Sequence, residues 1–502
     1  PTAEEMAEMD RRAVESGAIP ERGLIESAGR EIAHQVADLY PDGPVVALAG
    51  SGHNGADALV ALRTLSAWGR PVRAVQCGSA PPEPDVLRGW EIELLPAERM
   101  EEACSGASVI LDGILGTGVR GAPRSPQAEY IERANALEVP VAAVDGPSGM
   151  DFTTGQVPGA CIEARLTLAL GWPNLGLLHH PAREHAGEIR SLEIGFPPPG
   201  EEPGARAITG PWVRELLVRR GPDAHKGEAG YLTVVAGQEG MAGASVLASR
   251  AASRAGAGIV RTVGDPANRV VVQSSVPEGL FFPWSDPSAV EESVDWSHAV
   301  AAGPGMGRGA ERRSLVEKIL EEAGDRPVLL DADALNVWEG EAGALADRLR
   351  PGDLITPHPG ELSRLLERPV AEITADPASA VREAADRLGA VVLLKGAPSL
   401  VADGEGPVRV SPFRSPALAA GGTGDVLTGV AGALLAAGAP AADAAAGALM
   451  LTGIASDRGS APVGRISADL PDELPAARRA VLDARRGPPG PVNFRAPATR
   501  PA

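Results

Sequence analysis

The feature that most constrains the fold is an alternation of short apolar runs with longer segments of mixed polarity, which occurs twice along the chain. Between Pro44 and Ile194 the runs are VVALAG, VRAVQC, SVILDGILG, VPVAAVDG, RLTLAL and IRSLEIG. In the second half they are YLTVVAG, GIVRTVG, AVAAGPGMG, PVLLDADAL, DLITPHPGE and AVVLLKGAPSLVA. Strands that alternate with helices form parallel sheets covered by helices on both faces. We therefore predict an α/β protein with two three-layer α/β/α domains.

The segment from Phe196 to Ala205 separates the two alternations, because it is rich in Pro and acidic residues and has no apolar periodicity. It predicts a linker, with a first domain at 1–205 and a second at 206–485. From Arg486 onward the sequence RGPPGPVNFRAPATRPA has closely spaced prolines and no apolar face. We predict that residues 486–502 form a flexible tail.

The charge balance limits the partners of this chain. Its formal net charge is −20, and such a surplus of carboxylates repels nucleic acids and anionic membranes. An aromatic content of 3% also leaves few stacking surfaces for single-stranded nucleic acid. We therefore expect small-molecule partners, no nucleic acid and no membrane. A homo-oligomer is also expected, of a size that the sequence does not specify.

The cysteines and the longest uncharged stretch indicate the compartment. Cys77, Cys104 and Cys161 are odd in number and lack C-x-x-C spacing, so neither a disulfide framework nor a zinc site is predicted. The stretch from Val426 to Ala442 is short, Gly-rich and bounded by aspartates. We interpret it as a buried helix and expect a cytoplasmic protein.

Three strand ends of the first half carry polar, glycine-rich turns, namely GSGHNGAD at 50–57, DGILGTGVRG at 112–121 and DGPSG at 145–149. Glycines let backbone amides approach an anion, and a helix N-terminus adds partial positive charge. Because the carboxyl ends of parallel strands share one edge of the sheet, the three turns predict one crevice for a phosphorylated ligand. The first turn alone would also fit a tight turn in which Asp57 caps the helix.

Together the segments SGHNGADALVALR, LDGILGTGVRGAP and VDGPSGMDFTTG resemble the N-terminal domain of NAD(P)H-hydrate epimerases, over residues 5–195. The resemblance implies a Rossmann-like fold that interconverts the two C6 epimers of hydrated NAD(P)H, with Asp145 contacting substrate and moving a proton. It implies a potassium ion on Asn54, Asp112 and Ser148, whose hard oxygens suit an alkali cation. The implied substrate loops comprise His53, Asn54, Gly55, Ala56, Asp57, Gly116, Thr117, Gly118, Val119, Arg120, Gly121 and Ala122.

The first of these loops departs from the family pattern. His53 stands where the family usually has Asn, and Ala56 and Ala58 stand where it has glycines. Each alanine would place a methyl group where the backbone should approach the ligand. Two interpretations therefore stay open: an active epimerase, and a retained fold that has lost catalysis and acts as a binding module.

In the second half, the sequence AGGTGD at 420–425 opens the helix VLTGVAGALL. Consecutive glycine amides at a helix start form an anion hole, and Asp425 lies beside them. A carboxylate there takes a proton from an attacking hydroxyl while the amides neutralise a transferred phosphoryl group. The alternative is an ordinary helix cap. Upstream, Lys395 begins the turn KGAPS, which either faces a phosphate or leaves the lysine solvated at a strand end.

Further clusters follow other strands of the second half, namely HKG at 225–227, GPGMG at 303–307, DADALN at 331–336 and TPHPGE at 356–361. Asp331 and Asp333 either bind Mg²⁺ or cap the helix that follows. His358 lies between two prolines that position its backbone, and it either contacts a ligand or bonds neighbouring carbonyl groups.

In this order the clusters resemble the ADP- or ATP-dependent NAD(P)H-hydrate dehydratases, over residues 207–485. The resemblance implies a ribokinase-like fold, Asp425 as catalytic base, and ADP or ATP as cosubstrate, with Mg²⁺ expected from the chemistry. The implied contacts to the hydrate are Ala244, Gly305, Gly307 and His358. The implied contacts to the nucleotide are Lys395, Gly396, Ala397, Pro398, Ser399, Gly422, Thr423 and Gly424. The chain departs from the family in its AGQEGMAGA turn and in Ser399, which replaces a Thr.

The two resemblances concern successive steps on one damaged cofactor. They predict a bifunctional enzyme that epimerises NADHX and NADPHX, the hydrates of NADH and NADPH, and dehydrates the S epimer. The alternative is a ribokinase-like kinase for a vitamin precursor or sugar, with a non-catalytic N-terminal binding domain.

Overall fold

The computed structural model describes residues 1–82, 85–118, 120–197, 203–217, 227, 229–404, 406–413, 415–458, 464–483 and 493–494. It divides into two compact units, the first formed by Pro1–Gly204 with the short strand Asn493–Phe494 and the second by Ala205–Arg486. Apart from that strand, the segment 486–502 lies outside the described residues.

Eighteen strands are present within the described residues. They are β1 (Val45–Ala49), β2 (Val72–Gln76), β3 (Leu94–Pro96), β4 (Val109–Gly113), β5 (Val141–Val144), β6 (Leu166–Leu170), β7 (Glu188–Leu192), β8 (Ala205–Ala207), β9 (Tyr231–Val235), β10 (Ile259–Gly264), β11 (Leu280–Pro283), β12 (Ala299–Ala302), β13 (Val328–Leu330), β14 (Leu354–Ile355), β15 (Val391–Leu394), β16 (Leu400–Ala402), β17 (Val408–Val410) and β18 (Asn493–Phe494).

The same part of the chain forms nineteen α-helices. They are α1 (Ala3–Glu15), α2 (Glu21–Leu39), α3 (His53–Ala67), α4 (Met100–Cys104), α5 (Gln127–Asn135), α6 (Ala182–His185), α7 (Gly210–Leu216), α8 (Ala242–Ala255), α9 (Arg269–Ser275), α10 (Pro287–Trp296), α11 (Ala310–Glu322), α12 (Asp333–Asn336), α13 (Ala342–Ala346), α14 (Pro359–Leu366), α15 (Val370–Ala375), α16 (Pro377–Leu388), α17 (Thr423–Ala436), α18 (Ala441–Asp457) and α19 (Leu470–Asp483). Short 3₁₀ turns lie at Ala97–Arg99, Leu175–Leu178, Pro266–Asn268, Pro416–Ala419 and Ser467–Asp469.

The first unit is built on a sheet in the order β18-β7-β6-β5-β4-β1-β2-β3. Its pairs are parallel except that β18 runs antiparallel to β7. The side chains of Val45, Ala47 and Ala49 pack with α2 and α3, whereas those of Val46 and Leu48 pack with α4 and α5. Because successive strand residues point to opposite faces, helices cover both faces of this sheet.

The second unit has a sheet in the order β11-β10-β9-β12-β13-β14-β15-β16-β17-β8. Its strands pair in parallel from β11 to β15, and β15, β16 and β17 form antiparallel pairs. The central strands β12 and β15 are buried along their whole length, as expected for a sheet covered on both faces. The two units confirm the predicted fold class.

The helices α8 and α17 pack closely because small residues line their contact. A Cβ atom on Gly429 of α17 would collide with the carbonyl oxygen of Ala248 in α8. The residues from Val426 to Ala436 are all buried. The long uncharged stretch is therefore a core helix only as far as Ala436, because a turn follows and α18 begins at Ala441. Among the described residues no helix is long and apolar enough to cross a membrane.

Candidate active sites

A cavity of about 880 Å³ lies at the carboxyl edge of the first sheet. The turns after β1, β4 and β5, which the sequence predicted to converge, all contribute to its wall. Helices α1 and α2 supply further wall residues. The adjacent strands β1, β4 and β5 end at the same edge, so their polar turns meet in this one space.

Asp145 enters this cavity from the end of β5 in an unusual backbone conformation. Its φ is +62°, a left-handed conformation that costs energy for a residue with a side chain. The carboxyl group accepts a hydrogen bond from the backbone N–H of Leu170 at 3.1 Å. Burial, together with the nearby charge of Asp10, raises the pKa of Asp145 to about 7. Asp145 is therefore able to exchange a proton near neutral pH.

Two more carboxyl groups reach the same cavity, from Asp57 in α3 and Asp10 in α1. Burial raises the pKa of Asp57 well above its ordinary value, and the charges of Asp145 and Asp10 add to the shift. Burial also raises the pKa of Asp10 to about 6, against the opposing influence of His53. Sequence reasoning missed Asp10, although it shares one face of α1 with the buried Met6 and Ala13.

A buried cluster of oxygen atoms lies beside the cavity. The Asp112 carboxylate accepts hydrogen bonds from the Ser148 hydroxyl at 2.6 Å and the Ser148 N–H at 2.8 Å. Asn54 Nδ2 donates to the carbonyl oxygens of Val144 at 2.9 Å and Leu115 at 3.3 Å. Burial raises the pKa of Asp112 to about 6, despite the bonds from Ser148. The structure thus brings together Asn54, Asp112 and Ser148.

The other residues of the two predicted substrate loops divide into two groups. His53, Asn54, Gly55, Asp57, Gly116, Thr117 and Gly118 line the cavity. Arg120, Gly121 and Ala122 are exposed and are not among its described wall residues, and Val119 lies outside the described part of the chain. Arg120 instead forms an ion pair with Glu4 at 2.9 Å. His53 Nε2 is exposed and lies 3.1 Å from Glu21 Oε1.

The expectation that Ala56 and Ala58 obstruct the ligand is wrong. Both side chains are fully buried in the apolar core between α3 and the sheet. Their methyl groups point away from the cavity, because they lie on the face of α3 that packs on its neighbours. The side chain of Ala56 therefore does not contact a ligand in the cavity.

The second sheet carries an ionic cluster at its carboxyl edge. Lys395 Nζ lies 2.6 Å from Asp331 Oδ1 and 3.7 Å from Glu361 Oε2. The hydroxyl of Thr428 in α17 donates to Asp331 Oδ2 at 2.7 Å. Burial alone would lower the pKa of Lys395, but the carboxylates of Asp331 and Glu361 outweigh it and the pKa is raised. Lys395 is therefore a partly buried, paired cation and not a solvated lysine.

The start of α17 faces this cluster. Gly422 has φ +90°, and a Cβ atom built on Gly424 would lie 3.6 Å from Lys395 Nζ. The Thr423 hydroxyl donates to the carbonyl oxygens of Leu418 and Ala420, which fixes the turn before the helix. The first N–H groups of an α-helix lack partners within the helix. This region consequently combines the amides of a helix start with one fixed cation.

Asp425 lies in the first turn of α17. Burial and the charge of Asp331 raise its pKa to about 7, Lys395 opposes the shift, and Asp333 adds to it. The carboxyl group is thus close enough to the ionic cluster to interact with it, at the edge where the glycine turn lies. The role of Asp425 as a base beside an anion hole stays a prediction.

Asp331 and Asp333 neither cap a helix nor form a metal cage. Helix α12 is flanked by Ala332, with no side-chain cap, and Ala332 itself has a positive φ of +47°. Both oxygens of Asp331 are bonded to Lys395 and Thr428, and Asp333 Oδ2 accepts from the Gly307 N–H at 2.9 Å. The described residues contain no group of three or more His, Cys, Asp or Glu that could hold a metal ion.

His358 caps α14 through its imidazole ring. Nδ1 accepts hydrogen bonds from the N–H groups of Gly360 at 3.0 Å and Glu361 at 3.3 Å. Burial lowers the pKa of His358, with Glu361 opposing the shift and Lys395 adding to it. The ring is therefore neutral at pH 7 and presents Nε2 as a donor beside the ionic cluster.

The remaining predicted contacts lie in the first turn of α8, in the turn after β12 and in the turn after β15. A Cβ atom on Gly305 would lie 3.0 Å from the Cβ of Ala244, so those two residues are neighbours. Ser399 Oγ and the Gly396 backbone bond each other across the 395–399 turn, in which Ala397 is exposed and Pro398 is buried. His225 and Lys226 lie outside the described residues.

Comparison with known proteins covers both units. A family model described as YjeF-related protein N-terminus matches residues 21–176, and one described as NAD(P)H-hydrate dehydratase matches residues 232–476. A ribokinase-like superfamily protein from Enterococcus faecalis superposes with a TM-score of 0.52 at 22% identity, covering 56% of this chain and 98% of its own. This structural similarity shows that the second unit has a ribokinase-like fold.

Two curated relatives match nearly the whole chain. The bifunctional NAD(P)H-hydrate repair enzyme Nnr of Salinibacter ruber is 34% identical over 94% of this chain and 95% of its own length. The enzyme of the same name from Escherichia coli is 34% identical over 85% of this chain and 83% of its own length. The chain belongs to the family of bifunctional NAD(P)H-hydrate repair enzymes.

Proposed function

We propose that this chain repairs hydrated NADH and NADPH in two steps. The first unit interconverts the R and S epimers at C6. The second unit dehydrates the S epimer and uses ADP or ATP as the phosphoryl donor. One observation carries the proposal. Each unit has a partly or fully buried aspartate with a pKa of about 7, Asp145 and Asp425, at a glycine-rich edge of its own sheet.

In the second unit, Asp425 accepts the proton of the C6 hydroxyl group. The hydroxyl oxygen then bonds to the terminal phosphorus of the nucleotide, and the bond from that phosphorus to the bridging oxygen breaks, releasing AMP from ADP or ADP from ATP. The amides at the start of α17 and the Lys395 ammonium stabilise the negative charge that develops. Phosphate then leaves C6, C5 loses a proton, and the ring double bond is restored.

Mg²⁺ fits this site only with the nucleotide. Both oxygens of Asp331 are already bonded to protein groups, so the described carboxylates do not form a cage for the ion. Mg²⁺ commonly binds through substrate phosphates and few protein ligands. We infer that the ion arrives on the phosphates, where it would neutralise part of their charge.

In the first unit, we infer that potassium binds at the cluster of Asn54, Asp112 and Ser148, where both Asp112 oxygens accept hydrogen bonds from Ser148 and the Ile114 N–H, and where a bound ion would replace some of these bonds. Amide, carboxylate and hydroxyl oxygens are hard donors that suit this cation. The cluster joins the ends of β1, β4 and β5, and a bound ion would hold these turns around the cavity. Asp145, three residues before Ser148, moves the proton during epimerisation.

The kinase alternative is not favoured, because relatives that match 85–94% of this chain are named bifunctional NAD(P)H-hydrate repair enzymes. Burial of the Ala56 and Ala58 methyl groups also removes part of the reason for a non-catalytic first unit, and His53 is the departure that remains. We further propose a cytoplasmic location, since Cys77, Cys104 and Cys161 are all free thiols. A homo-oligomer remains a proposal, which light scattering of the purified chain would test.

The test is incubation of the purified chain with an R and S mixture of NADHX, nucleotide, Mg²⁺ and K⁺. We expect the near-ultraviolet absorbance of the dihydronicotinamide to return fully, with one inorganic phosphate released per molecule restored. Recovery of only the S fraction would contradict the epimerase half. No recovery, with a phosphorylated product accumulating from another substrate, would support the kinase alternative.

A further inference from the structure

The motif DADALN after β13 contains two side chains, those of Asp333 and Asn336, that the proposed chemistry does not use. We propose that these two residues and Arg364 of α14 are positioning residues, which hold two hydrate-binding elements of the second site in a fixed arrangement. The elements are the glycine turn 303–307 and the His358 cap of α14. The inference rests on the proposed function and takes both elements to contact the hydrate, as the resemblance to the dehydratases implies.

Asp333 holds the end of the glycine turn. Its Oδ2 accepts a hydrogen bond from the backbone N–H of Gly307 at 2.9 Å. The Gln238 N–H bonds the Gly305 carbonyl at 2.7 Å in the middle of the turn. A glycine-rich turn has many accessible backbone conformations, and a hydrogen bond to an anchored carboxylate favours one of them. The position of Asp333 therefore helps to determine where the turn presents its backbone to a ligand.

Asn336 connects this carboxylate to α14. Its Nδ2 donates to Asp333 Oδ1 at 3.3 Å, and its Oδ1 accepts from Arg364 Nη2 at 2.8 Å and from Arg364 Nε at 3.3 Å. A primary amide suits this position, because it donates to a carboxylate with one end and accepts from a guanidinium group with the other. The three side chains thus form one hydrogen-bonded network from the glycine turn to α14.

Arg364 lies beside the cap of α14. A Cβ atom built on Gly360 would lie 2.9 Å from His358 Cε1 and 3.7 Å from Arg364 Nη1, so both side chains border the same glycine. Burial lowers the pKa of His358, and the positive charge of Arg364 adds to this shift. The network that begins at the glycine turn therefore ends next to the imidazole ring.

Ala332 separates the network from the part of the motif that serves the nucleotide side. Its φ of +47° and ψ of −117° are unfavourable for a residue with a Cβ atom. Asp331, before it, bonds Lys395 and Thr428, whereas Asp333, after it, bonds the glycine turn. The strained residue thus directs the two carboxylates to different elements. We therefore expect loss of the network to weaken binding of the hydrate and to leave binding of the nucleotide largely intact.

Asn336→Leu in the full-length protein tests this role, because Leu has a similar size and forms neither hydrogen bond. Dehydration of S-NADHX would be followed by the return of the dihydronicotinamide absorbance, with the hydrate and the nucleotide varied in turn. We expect KM for S-NADHX to rise about tenfold, the change expected for loss of one hydrogen bond to a charged group. KM for the nucleotide should stay within about twofold, and kcat should fall less than KM for the hydrate rises.

Arg364→Met tests the same network from its other end. Arg364 is partly exposed, so this variant should fold even where Asn336→Leu does not. Met cannot donate to Asn336, and KM for S-NADHX should therefore rise here as well. In the double variant KM should rise by less than the product of the two single factors, because both substitutions interrupt one network.

Glu341→Gln is the matched control. Glu341 Oε2 accepts from Arg313 Nη2 at 3.1 Å, and the same arginine bonds the carbonyl oxygen of Val337 directly after α12. The substitution therefore weakens a bond next to α12 without changing the proposed network. We expect the two KM values and kcat of this variant to equal those of the wild type.

Three results would overturn the inference. They are an unchanged KM for S-NADHX in Arg364→Met, equal rises of KM for the hydrate and for the nucleotide, and single effects that multiply fully in the double variant. A wild-type protein that dehydrates S-NADHX with neither ADP nor ATP would instead overturn the proposed function, and this inference with it.

Discussion

Lys395 Nζ lies 2.6 Å from Asp331 Oδ1 across the carboxyl ends of two strands, β15 and β13, which flank β14. The second oxygen of Asp331 accepts from Thr428, which lies in the helix that begins with the glycine turn. One carboxylate thus connects Lys395, in the turn after β15, to the helix that carries Asp425. Asp331 thus holds Lys395 and α17 in place, and its charge also raises the pKa of Asp425.

Removal of the Thr428 hydroxyl should destabilise the second unit. Thr428→Val leaves Asp331 Oδ2 buried without its donor, and hydrogen bonds to charged groups contribute about 1.5–3 kcal/mol. Chemical denaturation should show a loss of that size. Thr452→Val is the matched control, since the Thr452 hydroxyl bonds only carbonyl groups of its own helix. Equal losses in the two variants would contradict a special role for the Thr428–Asp331 bond.

Neutralising Asp331 should shift the pH dependence of dehydration to lower pH. Asp425 must be ionised to accept a proton, so kcat/KM falls as the pH drops below its pKa of about 7. The charge of Asp331 raises that pKa, and Asp331→Asn therefore lowers it and moves the acidic limb downward. The maximal rate should also fall, because Lys395 loses its partner. An acidic limb that stays in place would argue that another group controls it.

Asp145→Asn should stabilise the first unit while reducing epimer exchange. The folded-state pKa of Asp145 is raised, so the folded protein binds more protons than the unfolded chain and loses stability as the pH rises from about 4 to about 7. Asn removes this loss, accepts the same Leu170 hydrogen bond and tolerates a left-handed backbone. At pH 8 we expect the free energy of unfolding to rise by on the order of a few kcal/mol, because each unit of pKa shift corresponds to about 1.4 kcal/mol. The gain should vanish near pH 4, and a gain independent of pH would contradict this explanation.

A methyl group on Gly116 should disturb the oxygen cluster of the first unit. The Cβ of Gly116→Ala would lie 2.7 Å from Asn54 Oδ1. A carbon atom and an oxygen atom do not come this close in a van der Waals contact, so one of the two residues must shift. We expect the rate of epimer exchange to fall at least tenfold. The K⁺ concentration that gives half of the maximal rate should rise. Gly118→Ala on the same loop places its methyl in open space and should lose less. Equal losses would indicate loop stiffening and not a collision with Asn54.

The strands and glycine turns were predictable because both are local features of the sequence. Apolar runs of four to six residues must be strands buried on both faces in an alternating α/β chain, and the turns at 50–57, 112–121 and 420–425 follow such runs directly. Short strands such as β8 and β18 carry no comparable apolar pattern, so only their pairing with β17 and β7 defines them.

The parts that sequence reasoning missed depend on contacts between distant residues or on side-chain direction. Lys395 and Asp331 are 64 residues apart, and Thr428 and Asp331 are 97 apart, so no local spacing links them. Ala56 and Ala58 were misjudged because a loop motif was treated as facing the ligand at every position, whereas both lie within α3 and face the core. Asp10 could have been noticed because it lies one helical turn from each of the apolar residues Met6 and Ala13.

Separation of the two proposed chemistries by one substitution in each unit tests the account most directly. Wild type, Asp425→Ala and Asp145→Ala would each receive pure R-NADHX with nucleotide, and chromatography would follow the R form, the S form and restored NADH. We predict that Asp425→Ala converts R to an equilibrium mixture of R and S without forming NADH, and that Asp145→Ala dehydrates added S-NADHX at the wild-type rate yet exchanges R slowly. Loss of both activities in either variant, with the protein folded, would contradict two separate sites.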